Sequence, residues 1–493
     1  MKDVDCTPYA PVLLESMRAI GYSLDTAIAD LVDNCISANA RNISIHLPPG
    51  KPDHLGILDD GNGMTADQLR DAMRHGSRNP NDKRQENDLG RFGLGLKTAS
   101  LSQCRRLTVV SKKEGAIEAV AWDLDHVIKT ENWSLQVLDT DDLAKLPLVR
   151  ELKSKKSGTL VLWQKLDRAA LDDDNGSLLS ERLDQTRRHL ALVFHRYLDI
   201  RAEGHISIEI NGLALAPVDP FLALHPSTIK QNPEPERITV HRSTVLVQAF
   251  TLPHISQLTQ EEINKAGGRE DLRREQGFYI YRNRRLIVWG TWFHLAKQEE
   301  LSKLTRVMVD VTNELDDKWS LDIKKSTAVP PELLKKRLRE LVPHMCRPSR
   351  QVHHYRGRAA STIAKVTTVW NRVENRNGTI SYQLSREHPA IAAIMKTVDE
   401  TSSRALREVL QLVEESFPGE AFYNDRAQER FGHRTAEKLS PREKEHLEQL
   451  AMNLLDAAGS AAGRKSLLSM LHAIEPFDRH PEFTNRLQDR LSK

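Results

Sequence analysis

The chain has 493 residues, 39% hydrophobic and 28% charged, which is the balance of a globular protein with room for about three domains. No apolar run is long enough to cross a bilayer, and the first residues lack the basic-then-apolar order of a signal peptide, so a cytoplasmic protein without membrane attachment is expected. Cys6, Cys35, Cys104 and Cys346 show no paired spacing, which argues against a disulfide framework, and the net charge of +3 favours no class of partner.

Residues 23–38 read as an amphipathic helix, with Leu24, Ala27, Ile28, Leu31, Val32, Cys35 and Ile36 at helical spacing and Ser23 as N-cap. Residues 42–47 alternate as a half-buried strand, and 55–58 form a short apolar run ending in Asp59-Asp60-Gly61. Further strands are predicted at 107–111, 116–122 and 159–163, and a long helix over 177–199 closes a first domain, 1–203. A second α/β region, 204–345, has an alternating strand at 206–210, a hairpin from 278–281 and 286–289 around Asn283, and a strand at 307–311. From 346 to 493 the pattern is more polar and mostly helical. There Ser440-Pro441-Arg442-Glu443 is a capping box opening a helix to about Ala458. The expected fold class is α/β, followed by a mostly helical C-terminal region.

Three short motifs carry chemistry. Asp30 and Asn34, four apart on the first helix, share a face away from its apolar stripe. A carboxylate and an amide placed so can orient a water and complete the coordination of a phosphate-held Mg²⁺, although alone they equally describe a solvated helix face. Asp59-Asp60-Gly61-Asn62-Gly63-Met64 sets a carboxylate at a strand end, where it can accept a hydrogen bond from the amine of adenine. Its glycines allow close backbone approach, though by itself it equally describes a surface turn. Gly90-Arg91-Phe92-Gly93-Leu94-Gly95-Leu96-Lys97-Thr98-Ala99-Ser100 offers backbone N–H groups and a helix start to phosphate oxygens, with Lys97 adding charge. It has neither the Walker A ending nor the Rossmann spacing.

In this order the three motifs resemble the N, G1 and G2 boxes of GHKL ATPases, the group of gyrase, heat-shock chaperone, histidine kinase and MutL. Gly158-Thr159 resembles that group's later Gly-Thr element, whose Thr supports adenine, and residues 74–88 match its ATP lid. The resemblance implies a Bergerat-type α/β sandwich that binds ATP and Mg²⁺. Asp30 would be the water-orienting base and Asn34 the Mg²⁺ ligand. Asp59, Gly61, Gly63, Met64 and Thr159, with Gly90, Arg91, Phe92, Gly93, Leu94, Gly95 and Lys97, would contact the nucleotide. The 204–345 region is similar to the transducer domain of gyrase, MutL and MORC-type members, in which a basic side chain reaches the γ-phosphate. Here that side chain would be Lys325 of Trp319-Ser320-Leu321-Asp322-Ile323-Lys324-Lys325-Ser326, with Lys324 as the neighbour able to serve instead.

One departure bears on rate. The family usually has Glu where this chain has Asp30, and one carbon fewer withdraws the carboxylate by about 1.5 Å. Since misplacement of about 1 Å costs roughly a hundredfold, slow turnover is expected. Asp33 falls on the other flank of the helix and is no obvious substitute. A histidine kinase is disfavoured because no His precedes Asp30. The chain looks most like MORC-like bacterial GHKL proteins, a resemblance that implies an ATP-dependent homodimer acting on DNA, some members working beside restriction or anti-phage components. From Lys335 to Arg376 eleven Lys or Arg face only Glu340 and Glu374, a strip suited to an anionic partner. The alternative is a chaperone-like or scaffold ATPase that docks a protein partner on its helical C-terminal region.

Overall fold

Alternation along the N-terminal strands puts one set of side chains on each face of a mixed sheet. Leu107 and Val109, like Val161 and Trp163, enter one apolar core, while Val110, Leu160 and Leu162 enter another on the opposite face. The computed structural model describes residues 3, 6, 8–19, 21–48, 52–76, 95–167, 177–240, 243–265, 274–299, 302–312, 320–321, 328–354, 367–374, 380–419, 421–422 and 439–492. The chain divides into two compact units, Met1–His354 and Tyr355–Lys493.

In the first unit the strands are β1 (Asn42–His46), β2 (His54–Asp59), β3 (Cys104–Lys113), β4 (Ala116–Asp123), β5 (Gln136–Val137), β6 (Gly158–Leu166), β7 (Ser207–Ile210) and β8 (Leu213–Ala214). Among the described residues they form one sheet in the order β5-β4-β3-β6-β2-β1-β7-β8, antiparallel except for the parallel β1–β7 pair. The larger core joins this sheet to α1 (Ala10–Arg18), α2 (Leu24–Ser37), α3 (Ala66–Met73), α4 (Gly95–Leu101), α5 (Leu124–Thr130) and, beyond the shorter α6 (Thr140–Ala144) and α7 (Val149–Ser154), α8 (Ser177–Val193) and α9 (His195–Leu198). Leu143 of α6 and Val149 and Leu152 of α7 cover the opposite face. The helix expected over 177–199 thus breaks at Phe194. Strands β7 and β8 lie beyond the expected boundary at 203 yet complete the first sheet, because Ile43 and Ile45 of β1 need a partner on that edge.

The second sheet has β9 (Ile229–Lys230), β10 (Glu236–Val240), β11 (Ser243–Thr251), β12 (Gly277–Arg282), β13 (Arg285–Thr291) and β14 (Thr305–Val311), in the order β10-β11-β14-β12-β13 with β9 on β11. One face packs on Leu334, Leu338, Val342 and Met345 of the helix Glu332–His354. That helix passes through residue 346 unbroken, so the boundary expected there falls within one element. The turn Asn283–Arg284 of the β12–β13 hairpin, positive in φ at both residues, leans on the first sheet's helices. Tyr197 Oη donates to the Asn283 carbonyl at 2.5 Å, His195 Nε2 lies 2.7 Å from Tyr281 Oη, and Arg196 pairs with Asp310 at 2.5 Å.

The first unit also holds a two-stranded ladder of β15 (Ser320–Leu321) and β16 (Ala328–Val329), and the second unit contains a hairpin. The hairpin itself is β17 (Trp370–Glu374) with β18 (Ile380–Leu384), and the rest is helical, as the composition implied. Its core gathers Leu447, Ala451 and Leu454 with Leu471, Ile474, Phe477 and Leu487. The expected capping box is present, with Ser440 and Glu443 bonding reciprocally at the start of Pro441–Ala457.

Candidate nucleotide site

The sequence of α2 places apolar residues on the sheet and α8, and nine of its fourteen residues are buried. Asp30 and Asp33 are among them, 4% and 1% exposed, so of the two residues expected to share a polar face Asp30 is enclosed and Asn34 is exposed. Ser23 does not cap the backbone as expected; its hydroxyl lies 2.8 Å from Thr26 Oγ1. Tyr22 Oη donates to Asp30 Oδ2 at 3.1 Å. A Cβ at Gly95, where α4 begins, would sit 3.6 Å from the same oxygen. The end of the third motif therefore meets the helix of the first.

Asp59 ends β2 and is 3% exposed. Its Oδ1 accepts from the Gly61 N–H at 2.8 Å and the Thr159 N–H at 3.2 Å, and its carboxylate also meets the Cys35 thiol of α2. Burial pushes its carboxyl up to about 6, against the pull of those donors, and burial beside Asp59 pushes the Cys35 thiol well up. The glycines here answer to protein neighbours. A Cβ at Gly61 would lie 2.7 Å from the Ala38 carbonyl, one at Gly63 2.1 Å from that of Lys112, and one at Gly158 2.2 Å from that of Asp59. The strand end is thus drawn tight against α2, β3 and β6. Met64 N–H donates to Ser111 Oγ at 2.8 Å, which lies 3.1 Å from Thr159 Oγ1.

A buried carboxylate at a strand end, a neighbouring helix with a second buried carboxylate, and a Gly-Thr strand start converge on one side of the sheet. Residues 22–159 match the family model described as histidine kinase-, DNA gyrase B-, and HSP90-like ATPase. These residues form a GHKL-type domain. The GHKL segment is 35% identical over 96 residues to the ATPase morc-1 of Caenorhabditis elegans, covering 19% of this chain and 11% of that one. It is 32% identical over 103 residues to the DNA mismatch repair protein MutL of Paramagnetospirillum magneticum, covering 20% and 16%, and 37% identical over 94 residues to MutL of Rhizorhabdus wittichii, covering 18% and 16%. The matches thus span between 11% and 16% of these relatives' lengths.

Within the GHKL domain several expected residues have other surroundings than the sequence implied. Lys97 is 1% exposed and donates to the Ala72 carbonyl at 2.8 Å, where it meets the C-terminal turn of α3. Gly90, Arg91, Phe92, Gly93 and Leu94, residues 77–88 of the lid expected over 74–88, and Lys324 and Lys325 lie outside the described residues. Among the described residues no three His, Cys, Asp or Glu gather to hold a metal ion. Asn34 would supply one amide ligand to Mg²⁺, the other positions falling to phosphate oxygens and water, which suits a hard ion that keeps much of its shell. Sequence reasoning missed Tyr22, Cys35 and Ser111, whose side chains reach the motif residues across the fold. It also missed Arg285 of the second sheet, whose Nε lies 2.7 Å from Asp33 Oδ1. No local pattern marks them. At the base of the lid His75 sits between Trp122 and Trp133, and burial, followed by the nearby Lys97 charge, lowers it to about 4.

Proposed function

We propose that this chain is a Mg²⁺-ATP-dependent conformational switch that closes as a homodimer, with DNA as its partner. The observation that carries the reading is the buried Asp59 carboxylate, fixed by Gly61 and Thr159 beside the helix that bears Asp30. Asp59 accepts from the adenine amine, which guanine lacks at that position. Asp30 takes a proton from water as its oxygen attacks the γ-phosphorus; the bond to the bridging oxygen breaks, and that oxygen leaves on ADP. Asn34 would hold Mg²⁺, which would supply charge to the phosphate oxygens. Residues 204–345 act as transducer, with Lys325 or its neighbour Lys324 reaching the γ-phosphate when ATP orders the lid.

The basic helix Glu332–His354 supports a nucleic-acid partner. Lys336, Arg337, Arg339 and Arg347 are exposed on it, although Lys335 is paired with Glu332 and Arg337 with Glu340 and Glu236. Dimer closure around a duplex would bring two such strips together, with binding that is sequence-independent and weakened by salt. A cytoplasmic role beside restriction or anti-phage components fits such a clamp. A second reading, a chaperone-like or scaffold ATPase, is favoured by the exposed Val409, Leu412 and Val413 on the helix Glu400–Glu415. The deciding experiment measures ATP hydrolysis and oligomeric mass, each with and without DNA. Stimulation by DNA and ATP-dependent dimers support the clamp, and stimulation by a protein alone moves the reading to the scaffold. A chain that binds no ATP sinks both.

A further inference from the structure

We propose that Arg285, on the β12–β13 hairpin of the second sheet, is a positioning residue for Asp30 and so for hydrolysis. This rests on the ATPase reading above but concerns a contact between protein groups alone. Arg285 is 5% exposed, and its guanidinium faces two buried carboxylates of α2. Nε lies 2.7 Å from Asp33 Oδ1, and the outer nitrogen 4.0 Å from Asp30 Oδ1. Another nitrogen donates to the Leu286 carbonyl at 3.2 Å, and the group lies 5.7 Å from the Phe194 ring centroid.

The pair is costly as mere packing. Buried ion pairs seldom outdo apolar side chains of equal volume in stability, whereas removing one partner leaves a stranded charge. What a guanidinium provides here is direction. Asp33 lies three residues from Asp30, on a neighbouring line of the same helix, so holding Asp33 fixes the rotation of α2 about its axis. Tyr22 grips Asp30 through Oδ2, and Arg285 approaches it from the Oδ1 side. The carboxylate plane is thereby set between one side chain from its own domain and one from the second sheet. A shortened base tolerates little error in aim.

The same hairpin holds α2 nearer its start. Trp289 of β13 packs on His189 of α8, whose Nδ1 lies 3.5 Å from Asp25 Oδ2. Arg284, one residue before Arg285, donates to the Glu203 carbonyl at 2.7 Å and stacks on Tyr197, which fixes the turn against the first domain. Among the described residues, the charged and titratable groups bearing on Asp30 include Asp25 and Asp33 of α2, Tyr22, Tyr197, His189 and Arg285. A shift of the second sheet reaches Asp30 through this hairpin whatever occupies the γ-phosphate position.

The test uses the full chain with Arg285→Gln, Arg285→Lys, Asp33→Asn and the Asp33→Asn/Arg285→Gln double variant, comparing ATP affinity by calorimetry with single-turnover hydrolysis. Arg285→Gln is expected to slow hydrolysis by about tenfold to a hundredfold, the scale of a displaced catalytic group. ATP affinity should change less than about threefold, and Arg285→Lys should recover part of the rate. The double variant neutralises both partners of the 2.7 Å pair, so it should fold where Arg285→Gln alone does not, and it should remain slow. A double variant or a folded Arg285→Gln at the wild-type rate overturns the role, as does a parallel loss of affinity and rate. If the wild-type chain binds ATP but hydrolyses none, the ATPase reading fails, and this role with it.

Discussion

Asp59→Asn exchanges a buried carboxylate for an amide of the same shape. The amide oxygen can still accept from the Gly61 and Thr159 N–H groups, so the strand end keeps its hydrogen bonds. Burial raises the Asp59 carboxyl from 3.8 to about 6. Each tenfold in proton affinity is worth about 1.4 kcal/mol, so ionised Asp59 costs the folded state about 3 kcal/mol at neutral pH. Stability tied to this group is full below pH 3.8 and lost as pH rises through about 6. The neutral Asn escapes the loss. Asp59→Asn should therefore be more stable than wild type at pH 7.5, by up to about 3 kcal/mol, with the gain shrinking toward pH 4. ATP binding should move the other way. The adenine amine would lose a charged acceptor worth about 1.5–3 kcal/mol and meet a second donor, so affinity falls at least tenfold and binding is expected to vanish in practice. Urea unfolding at pH 7.5 and 4, paired with calorimetric ATP titration at pH 7.5, reads both effects. A variant that binds ATP as tightly as wild type refutes the adenine assignment, and one destabilised at pH 7.5 refutes the burial argument.

Asn34→Ala should abolish the Mg²⁺ dependence of nucleotide binding; titrations that still differ with and without Mg²⁺ as in wild type remove Asn34 from the site. Asp30→Ala should eliminate hydrolysis while retaining ATP, since a general base supplies about 10²–10⁴-fold, and wild-type turnover in that variant would assign the water to another group. Gly63→Ala should cost more than about 2 kcal/mol in denaturant unfolding, because the position has φ of 63° and its new methyl would meet the Lys112 carbonyl at 2.1 Å. Changing Arg347, Arg350, Arg356 and Arg358 together to Ala should weaken DNA binding and leave ATP affinity alone. No DNA binding by wild type at low salt with a non-hydrolysable ATP analogue would end the clamp reading.

The strands of the first sheet were legible because alternation survives in their sequences, from Ile43 and Ile45 through Val161 and Trp163. The place of Asp59 at a strand end was legible because the apolar run 55–58 stops at it. The enclosure of Asp30 and Asp33 was not. Both carboxylates look solvated on a helical wheel, and what encloses them includes an arginine 252 residues away from Asp33. Lys97 shows the same limit in reverse, since a lysine after a glycine loop reads as a phosphate contact, yet its ammonium reaches the end of α3. Composition placed a boundary at 346, but the buried positions Val342, Met345 and Cys346 carry the helix past it. Domain edges follow packing, and a change in polarity only approximates them.

The Asp33–Arg285 pair also sets a schedule for synthesis. Asp33 leaves the ribosome long before its counter-charge, and the interval of 252 residues lasts about 13–50 s at 5–20 residues per second. During that time α2 lacks the guanidinium that faces its two buried carboxylates. The β1–β7 pairing is a shorter wait within the same interval, since the outer strand beside Ile43 begins at residue 207. The nucleotide-binding region, although encoded first, therefore matures only when the hairpin of the second sheet has emerged, and a nascent chain stalled before Arg285 should expose α2 to protease.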